Sequence, residues 1–230
     1  MVYDFHTHTF MSDGSLSPLE LAYRSARTDC RVLAITDHAG PSNLERLLTS
    51  LVQDCEVASN EWGIQVLPGV ELTYLPPAEI DIWALRAKEL GAAIVVVHGE
   101  TISEAVPEGT NLAAARSGAV DVIAHPGLID PETAAIAGNT GKFVEISGRH
   151  KHALTNGHVA AVCREARVMM IVNSDAHGPD DLLSRDDAWK IALGAGLTDD
   201  EAGKVLDDNP RALMERLGVK MATAEEVGTQ

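Results

Sequence analysis

The chain has 230 residues, of which 34 are acidic and 18 basic, for a formal net charge of −16. That balance argues against broad binding to nucleic acid or to an anionic membrane, where Lys/Arg patches supply the attraction. It leaves room for a small anionic substrate if bound cations invert the local field, and at 45% hydrophobic residues the chain can bury one large α/β core.

Cys30, Cys55 and Cys163 are odd in number, widely spaced and without a CxxC pair. They form neither a disulfide framework nor a thiolate zinc site and read as small buried hydrophobes. The segment Met1–His6 has no charged n-region or apolar h-region. No apolar run approaches spanning length, so the expected location is cytoplasmic. Residues 1–218 read as one domain and 219–230 as a C-terminal tail.

In chain order, Val2–Phe5 is a short apolar strand. Ser17-Pro18-Leu19-Glu20 opens a helix, with Ser17 as cap, Pro18 in the first turn and Glu20 completing a capping box. Arg31–Thr36 is a buried-type strand. Ser42 and Glu45 pattern as a second capping box for a helix to about Ser59, and Ile64–Val70 is the third strand. Pro77–Leu90 reads as a helix stopped by Gly91. Ala92–Val97 is the fourth strand, Asn111–Ser117 a short helix and Val120–Ala124 the fifth strand. Asp130-Pro131 begins a helix by the cap-then-proline rule. Phe143–Ser147 is the sixth strand, and a helix from about Leu154 to Ala166 leads to the seventh, Met169–Ser174. Helices follow at Arg185–Ala195, at Asp199–Leu206 after a Thr198…Glu201 box, and at Pro210–Leu217 after an Asn209 cap.

Strands and helices alternate, and the strands are near-continuous apolar runs, as when both faces of a parallel sheet are covered. An open doubly wound sheet and a closed barrel both fit. The first strand is not followed by GxGxxG, which weakens a dinucleotide reading. The polar residues favour the barrel. His6-Thr7-His8 follows strand one, with Asp13 shortly after; Asp37-His38 follows strand two, Glu71 strand three, His98 strand four and His125 strand five. Asp175-Ala176-His177 follows strand seven. Carboxyl ends of strands converge on one face only in a closed β/α barrel, so the expected fold is α/β, a distorted seven-stranded TIM-like barrel.

Imidazole and carboxylate together suit Zn²⁺, Mn²⁺ or Fe²⁺. The period-2 spacing in His6-Thr7-His8 puts both rings on one side of an extended chain, and Asp175 and His177 repeat it. The candidate metal ligands are His6, His8, Asp13, His38, Glu71, His98, His125, Asp175 and His177. Because a carboxylate can bridge two ions, the set suits two or three divalent metals. Asp37 is expected to buttress a ligand or cap a turn.

These motifs resemble the PHP (polymerase and histidinol phosphatase) family. The resemblance rests on His6-Thr7-His8 with Ser12-Asp13-Gly14, Ile35-Thr36-Asp37-His38, Pro68-Gly69-Val70-Glu71, Val97-His98-Gly99-Glu100, Ala124-His125-Pro126-Gly127 and Asn173-Ser174-Asp175-Ala176-His177. They run in order from about residue 2 to 180. The resemblance implies a distorted (β/α)7 barrel with a trinuclear site. His6, His8, Glu71 and Asp175 would hold one ion; Glu71 would bridge to a second, held also by His98 and His125; Asp13, His38 and His177 would hold the third. Asp13 stands where some family phosphatases have His, which implies a harder or weaker-bound ion there, such as Mn²⁺.

The implied activity is hydrolysis of small phosphate monoesters, histidinol phosphate among them, by a hydroxide formed on water whose pKa the ions lower towards ~7. Glu71 and Asp175 would hold the ions in place. After strand six, Arg149 can grip phosphate bidentately and Ser147 can add a hydrogen bond; the family phosphatases carry a similar Ser/Arg element. His150, His152 and His158 are either a solvated face or, for His150 or His152, the donor of a proton to the leaving alkoxide. His150 is carried forward as a substrate contact, and Gly99–Thr110, the longest loop, as a lid. Three other readings stay open: a nuclease or nucleotide phosphoesterase, an amidohydrolase-type C–N hydrolase, and a non-catalytic module. The partner expected is a small phosphorylated molecule, with neither membrane nor nucleic acid.

Overall fold

The computed structural model describes residues 1–219; of the expected tail at 219–230, all but residue 219 lies outside the described residues. Eight parallel strands are β1 (Val2–Asp4), β2 (Cys30–Ile35), β3 (His38–Ala39), β4 (Gln65–Leu72), β5 (Ile94–His98), β6 (Val122–Ala124), β7 (Phe143–Ser147) and β8 (Met169–Asn173). They pair in the order β1-β2-β4-β5-β6-β7-β8, and β3 is a two-residue continuation of the β2 edge that pairs with β4 through His38↔Glu71. The sheet closes between β8 and β1 by a single parallel bridge, Thr7↔Ala176. Backbone hydrogen bonds from Asp175 N to His6 O (3.0 Å) and from His8 N to Ala176 O (2.8 Å) flank it. The expected seven-stranded barrel is the fold observed, with β3 as an addition too short to carry a hydrophobic pattern.

The two faces of each strand separate into two apolar layers. Val32, Ala34, Leu67, Ile94, Val96, Val122, Ala124, Phe143 and Ile171 pack together with Phe5, Leu213 and Met214. Their strand neighbours Leu33, Ile35, Val66, Val70, Val95, Val97, Ile123, Val144 and Ile146 pack with the helices. The first layer is the barrel interior. Because side chains alternate, residues two further along each strand stay in register with it: Leu67 leads to Glu71, Ile94 to His98, Phe143 to Glu145, and Ile171 to Asn173 and Asp175. An apolar plug fills the lower barrel, and the polar residues occupy the carboxyl end above it. Gly69 lies on the Leu67–Glu71 inner line. A Cβ there would stand 2.6 Å from Ile94 Cγ2, so the interior has no room for a side chain at that level.

The helices are α1 (Pro18–Ala26), α2 (Leu44–Trp62), α3 (Ile80–Glu89), α4 (Thr110–Arg116), α5 (Pro131–Asn139), α6 (Asn156–Ala166), α7 (Arg185–Gly194), α8 (Asp199–Gly203) and α9 (Asn209–Arg216). Ser17 caps α1 by accepting from Glu20 N, whereas the Glu20 carboxylate pairs with Arg24. The Ser42…Glu45 box does not form. Asn43 precedes α2 and its side chain instead accepts from Gly40 N (2.9 Å) and donates to His38 O (2.9 Å), so the turn that carries His38 is pinned at the cost of the cap. The Thr198…Glu201 box does form. Asn209 is not a cap: α8 runs through a π turn at Lys204–Asp208 into α9, and the Asn209 amide donates to Met170 O (2.7 Å). Trp83 and Trp189 pack against the core, and Leu85 is exposed on α3. The three cysteines are free and buried. Among the described residues, no helix is long and apolar enough to cross a membrane.

Candidate metal centre

The carboxyl ends of the strands bring the histidines and acids together at the floor of a cavity of about 590 Å³, a size suited to a small-molecule ligand. Glu71, from the end of β4, sits at the centre and is fully buried. His6 Nε2 and His125 Nε2 lie 3.4 and 3.3 Å from its Oε1, and His8 Nε2 and His38 Nδ1 lie 3.6 and 2.7 Å from its Oε2. Asp175 approaches from the other side of the seam, with Oδ1 3.3 Å from His8 Nε2 and 3.8 Å from His6 Nε2. Towards solvent, Asp13 Oδ1 faces His177 Nε2 (3.2 Å), His38 Nε2 (3.6 Å) and His8 Nδ1 (3.9 Å).

Among the described residues, four groups have potential ligand atoms within 4.8 Å of one another: His6/Glu71/His125, His6/His8/Asp175, His8/Asp13/His38/His177 and His125/His152/Asp175. Eight of the nine expected ligands fall in them. His98 does not: its Nε2 points to Glu104 Oε2 at 3.2 Å, and its ring lies 4.5 Å from that of His125.

The buried polar atoms test whether cations fit. Neither Glu71 oxygen has a hydrogen bond of sound geometry, and His8 Nδ1 and His125 Nδ1 are likewise unpartnered. His38 Nδ1, close to Glu71, directs its hydrogen bond to Thr73 Oγ1 (2.7 Å). His6 Nε2 and His8 Nε2 stand 3.0 Å apart, two nitrogens facing one space. A buried carboxylate with no donor is costly unless a cation satisfies it. Ring nitrogens directed at such a carboxylate are the donor set of a divalent metal site.

The electrostatics follow from this packing. Burial raises the Glu71 carboxyl, but His6, His38 and His98 overcome it and hold it well below its ordinary range. For His6, burial opposes the charge and Glu145, Glu71 and Asp175 outweigh it, so its pKa is raised. His38 is carried up to about 10 against the effect of burial, by Glu71 and Asp13. Hydrogen bonds from His177 and His38 hold Asp13 far below the carboxylate range.

Several supports carry no ligand motif. Glu145, an inward residue of β7, accepts from His6 Nδ1 at 2.7 Å and from Asn173 Nδ2 at 2.9 Å. Asp37 accepts from Thr9 N, Thr9 Oγ1 and Ser12 Oγ at 2.6–2.7 Å, fixing the turn that follows His8, as a buttress should. Asp4 binds Ser174 through Oγ (2.5 Å) and N (3.1 Å), locking β1 to the residue before Asp175. His125 and Asp175 both have positive φ, 25° and 53°. Non-glycine residues rarely adopt that conformation, and it concentrates at functional sites.

The residues expected to meet substrate are divided. Arg149 lines the cavity, donates from Nη1 to Asp175 O (3.2 Å) and lies 2.7 Å from His177 Nδ1. Ser147 is buried and its hydroxyl accepts from Arg149 N (3.2 Å), so it positions the arginine rather than facing the cavity. His150 is exposed and does not line the cavity. The short helical turn at His152–Thr155 buries His152 instead. Its Nδ1 bonds Thr101 Oγ1 (2.8 Å) and its Nε2 lies 3.7 Å from Asp175 Oδ2. Burial and then the neighbouring His125 push that ring down to about 4. His158 bonds Ile129 O, away from the centre. Glu100, beside His98 in sequence, accepts from Asn111 N and braces the following loop. From that loop Glu104 reaches the cavity.

The fold and site together define a β/α-barrel protein whose strand ends gather histidines and carboxylates into clusters suited to divalent metal ions. An uncharacterized protein of Methanocaldococcus jannaschii is 46% identical over 218 residues, 94% of this chain and all of that one. A probable phosphatase of Thermoanaerobacter sp. is 28% identical over 218 residues, 87% of this chain and 89% of its own. Among solved structures, a chain of an archaeal ribonuclease P complex with mature tRNA superposes with a TM-score of 0.61 at 15% identity, covering 96% of this chain and 99% of that one. Histidinol phosphate phosphatase of Lactococcus lactis, complexed with zinc, histidinol and phosphate, does so with 0.55 at 13%, covering 95% and 94%. No family model matches the chain. The chain belongs to one family with the Methanocaldococcus jannaschii protein, and its fold is that of the solved histidinol phosphate phosphatase.

Proposed function

We propose that the protein is a metal-dependent phosphoesterase acting on small phosphate monoesters. The observation that carries this reading is Glu71. It is a fully buried carboxylate with both oxygens unpartnered, ringed by imidazole nitrogens on the floor of a cavity whose wall holds Arg149. His6, His8, Glu71, His125 and Asp175 would hold the inner ions, with His98 beside His125 as a further candidate donor. Asp13, His38 and His177 would hold an outer ion. Two or three ions, of zinc, manganese or iron, fit this donor set. Such ions supply activated water and Lewis-acid stabilisation of phosphoryl oxygens.

The remaining work belongs to side chains. Arg149, fixed by Ser147 through its backbone and by Asp175 O through its guanidinium, grips the phosphoryl oxygens. Glu71 and Asp175 anchor the electrophilic centre. Histidinol phosphate is one candidate substrate, and the phosphatase names of relatives support the reaction class. Other relatives carry exonuclease or exoribonuclease names. A net charge of −16 disfavours a long nucleic-acid backbone here. The test is phosphate release from a panel of monoesters, nucleotides and histidinol phosphate included, with Mn²⁺ or Zn²⁺ and with chelator. Metal-dependent release that disappears in His6→Ala is expected. No release from any member by metal-loaded protein would overturn the reading.

A further inference from the structure

The cavity has two unlike walls. Arg149 and His177 stand on the loops after β7 and β8. Gly40, Pro41, Ser42, Thr73, Tyr74 and Leu75 form a lobe on the loops after β3 and β4 and carry no charge. The barrel order separates β4 from β7 by two strands on one side and three on the other, so the lobe and the arginine face each other across the metal centre. An ester whose phosphoryl group meets Arg149 therefore presents its alcohol to the lobe.

Tyr74 is built into that lobe in an unusual way. Its φ is 54°, a region that L residues rarely adopt. Its hydroxyl donates to Glu104 Oε2 at 3.1 Å, and its ring stacks on His98 with centroids 5.7 Å apart and planes at 27°. Even so, 56% of the residue stays exposed. An aromatic ring held from both its backbone and its hydroxyl, yet left open, is a preorganised stacking surface. Glu104, the acid at the border of the lobe, accepts from the Tyr74 hydroxyl and lies near His98 (3.2 Å) and His152 (3.7 Å).

We infer that this lobe is a subsite for a flat, uncharged aromatic ring on the leaving alcohol, with Tyr74 as its platform; the inference rests on the phosphoesterase reading. The substrate class is then a phosphate monoester of an aryl or nucleoside type in preference to an aliphatic alcohol. Tyr74 sets specificity and takes no part in bond breaking.

The probes are phenylphosphonate and methylphosphonate, which cannot be hydrolysed, titrated calorimetrically into the full metal-loaded protein. Turnover of phenyl phosphate and glycerol phosphate is followed in parallel. Wild type should bind phenylphosphonate roughly tenfold more tightly than methylphosphonate, the order of one aromatic contact. Tyr74→Phe should keep that ratio and Tyr74→Ala should reduce it to about twofold or less. Because each variant is judged by a ratio, a general loss of fold or metal does not imitate the result. Equal affinities in wild type, binding of neither probe, or an undiminished ratio in Tyr74→Ala would overturn the subsite. A preserved ratio in wild type with no turnover of either ester would support the subsite and overturn the phosphoesterase reading.

Discussion

His6 Nδ1 donates to Glu145 Oε2 across 2.7 Å, with both side chains fully shielded from solvent. That bond fixes which imidazole nitrogen keeps its proton and leaves Nε2 for a cation. Glu145 in turn accepts from Asn173 and lies 3.3 Å from His125 N, so one carboxylate orients ligands from two strands. Glu145→Gln is expected to weaken metal affinity by about 10–100-fold, the usual cost of losing such a support. Competition with a chromophoric chelator measures it, and a far-ultraviolet circular dichroism spectrum like that of wild type separates the effect from unfolding.

Metal uptake should release protons. The pKa of His6 is raised and that of His38 stands at about 10, so without ions both rings hold protons at pH 7, and ligation must displace them. Apparent affinity therefore rises with pH. Calorimetric titrations in buffers of different ionisation enthalpy should give heats that vary in proportion to that enthalpy; identical heats would refute the assignment. The same shift has a stability corollary. A histidine whose pKa is raised in the folded state stabilises it fully below the unfolded value of about 6.5, and that contribution is lost as pH rises through about 10. Chelated protein should lose melting temperature over that interval.

The outer site should empty first. Asp13 is more than half exposed, while Glu71 is fully buried, so the outer ion has fewer shielded donors. Asp13→Asn is expected to lower metal content by one ion per chain after dialysis and to leave the inner ions in place. Elemental analysis checks this; loss of all ions together would show that the inner and outer positions act as one unit. Enrichment of Mn²⁺ over Zn²⁺ in the ion lost would support a harder outer site.

Arg149→Ala should raise KM for phosphate monoesters and lower kcat/KM by roughly 10–150-fold, the range for hydrogen bonds to a charged group of about 1.5–3 kcal/mol. Arg149→Lys should not restore it, because a point charge cannot reproduce the planar fork. Unchanged kinetics in Arg149→Ala would assign the residue to a purely structural contact with Asp175 O.

Much of the barrel and the clustering of eight of the nine candidate ligands were legible because two simple signals agree: apolar strand periods and polar residues just past their ends. Glu145 left a signal that was not taken up, a carboxylate inside the apolar run FVEIS. Such a residue must be partnered, and the partner lies 139 positions away. Glu104 and Tyr74 gave none, since both reach the cavity through loop conformation, and a φ of 54° at a tyrosine is not readable from neighbours. Which of His150 and His152 turns inward is also set by loop conformation: His150 is exposed, and the helical turn that starts at His152 buries that ring. Ser42 looked like a helix cap, but Asn43 tied its side chain to the turn at His38.

The seam between β1 and β8 holds one bridge, and the ligand pairs His6/His8 and Asp175/His177 lie on its opposite sides. The chain must therefore travel nearly from one end to the other before its two halves of the site meet. Growing on the ribosome, it has no complete site to offer until residue 177 has emerged. A cation held by both pairs would tie together the two sides of that seam.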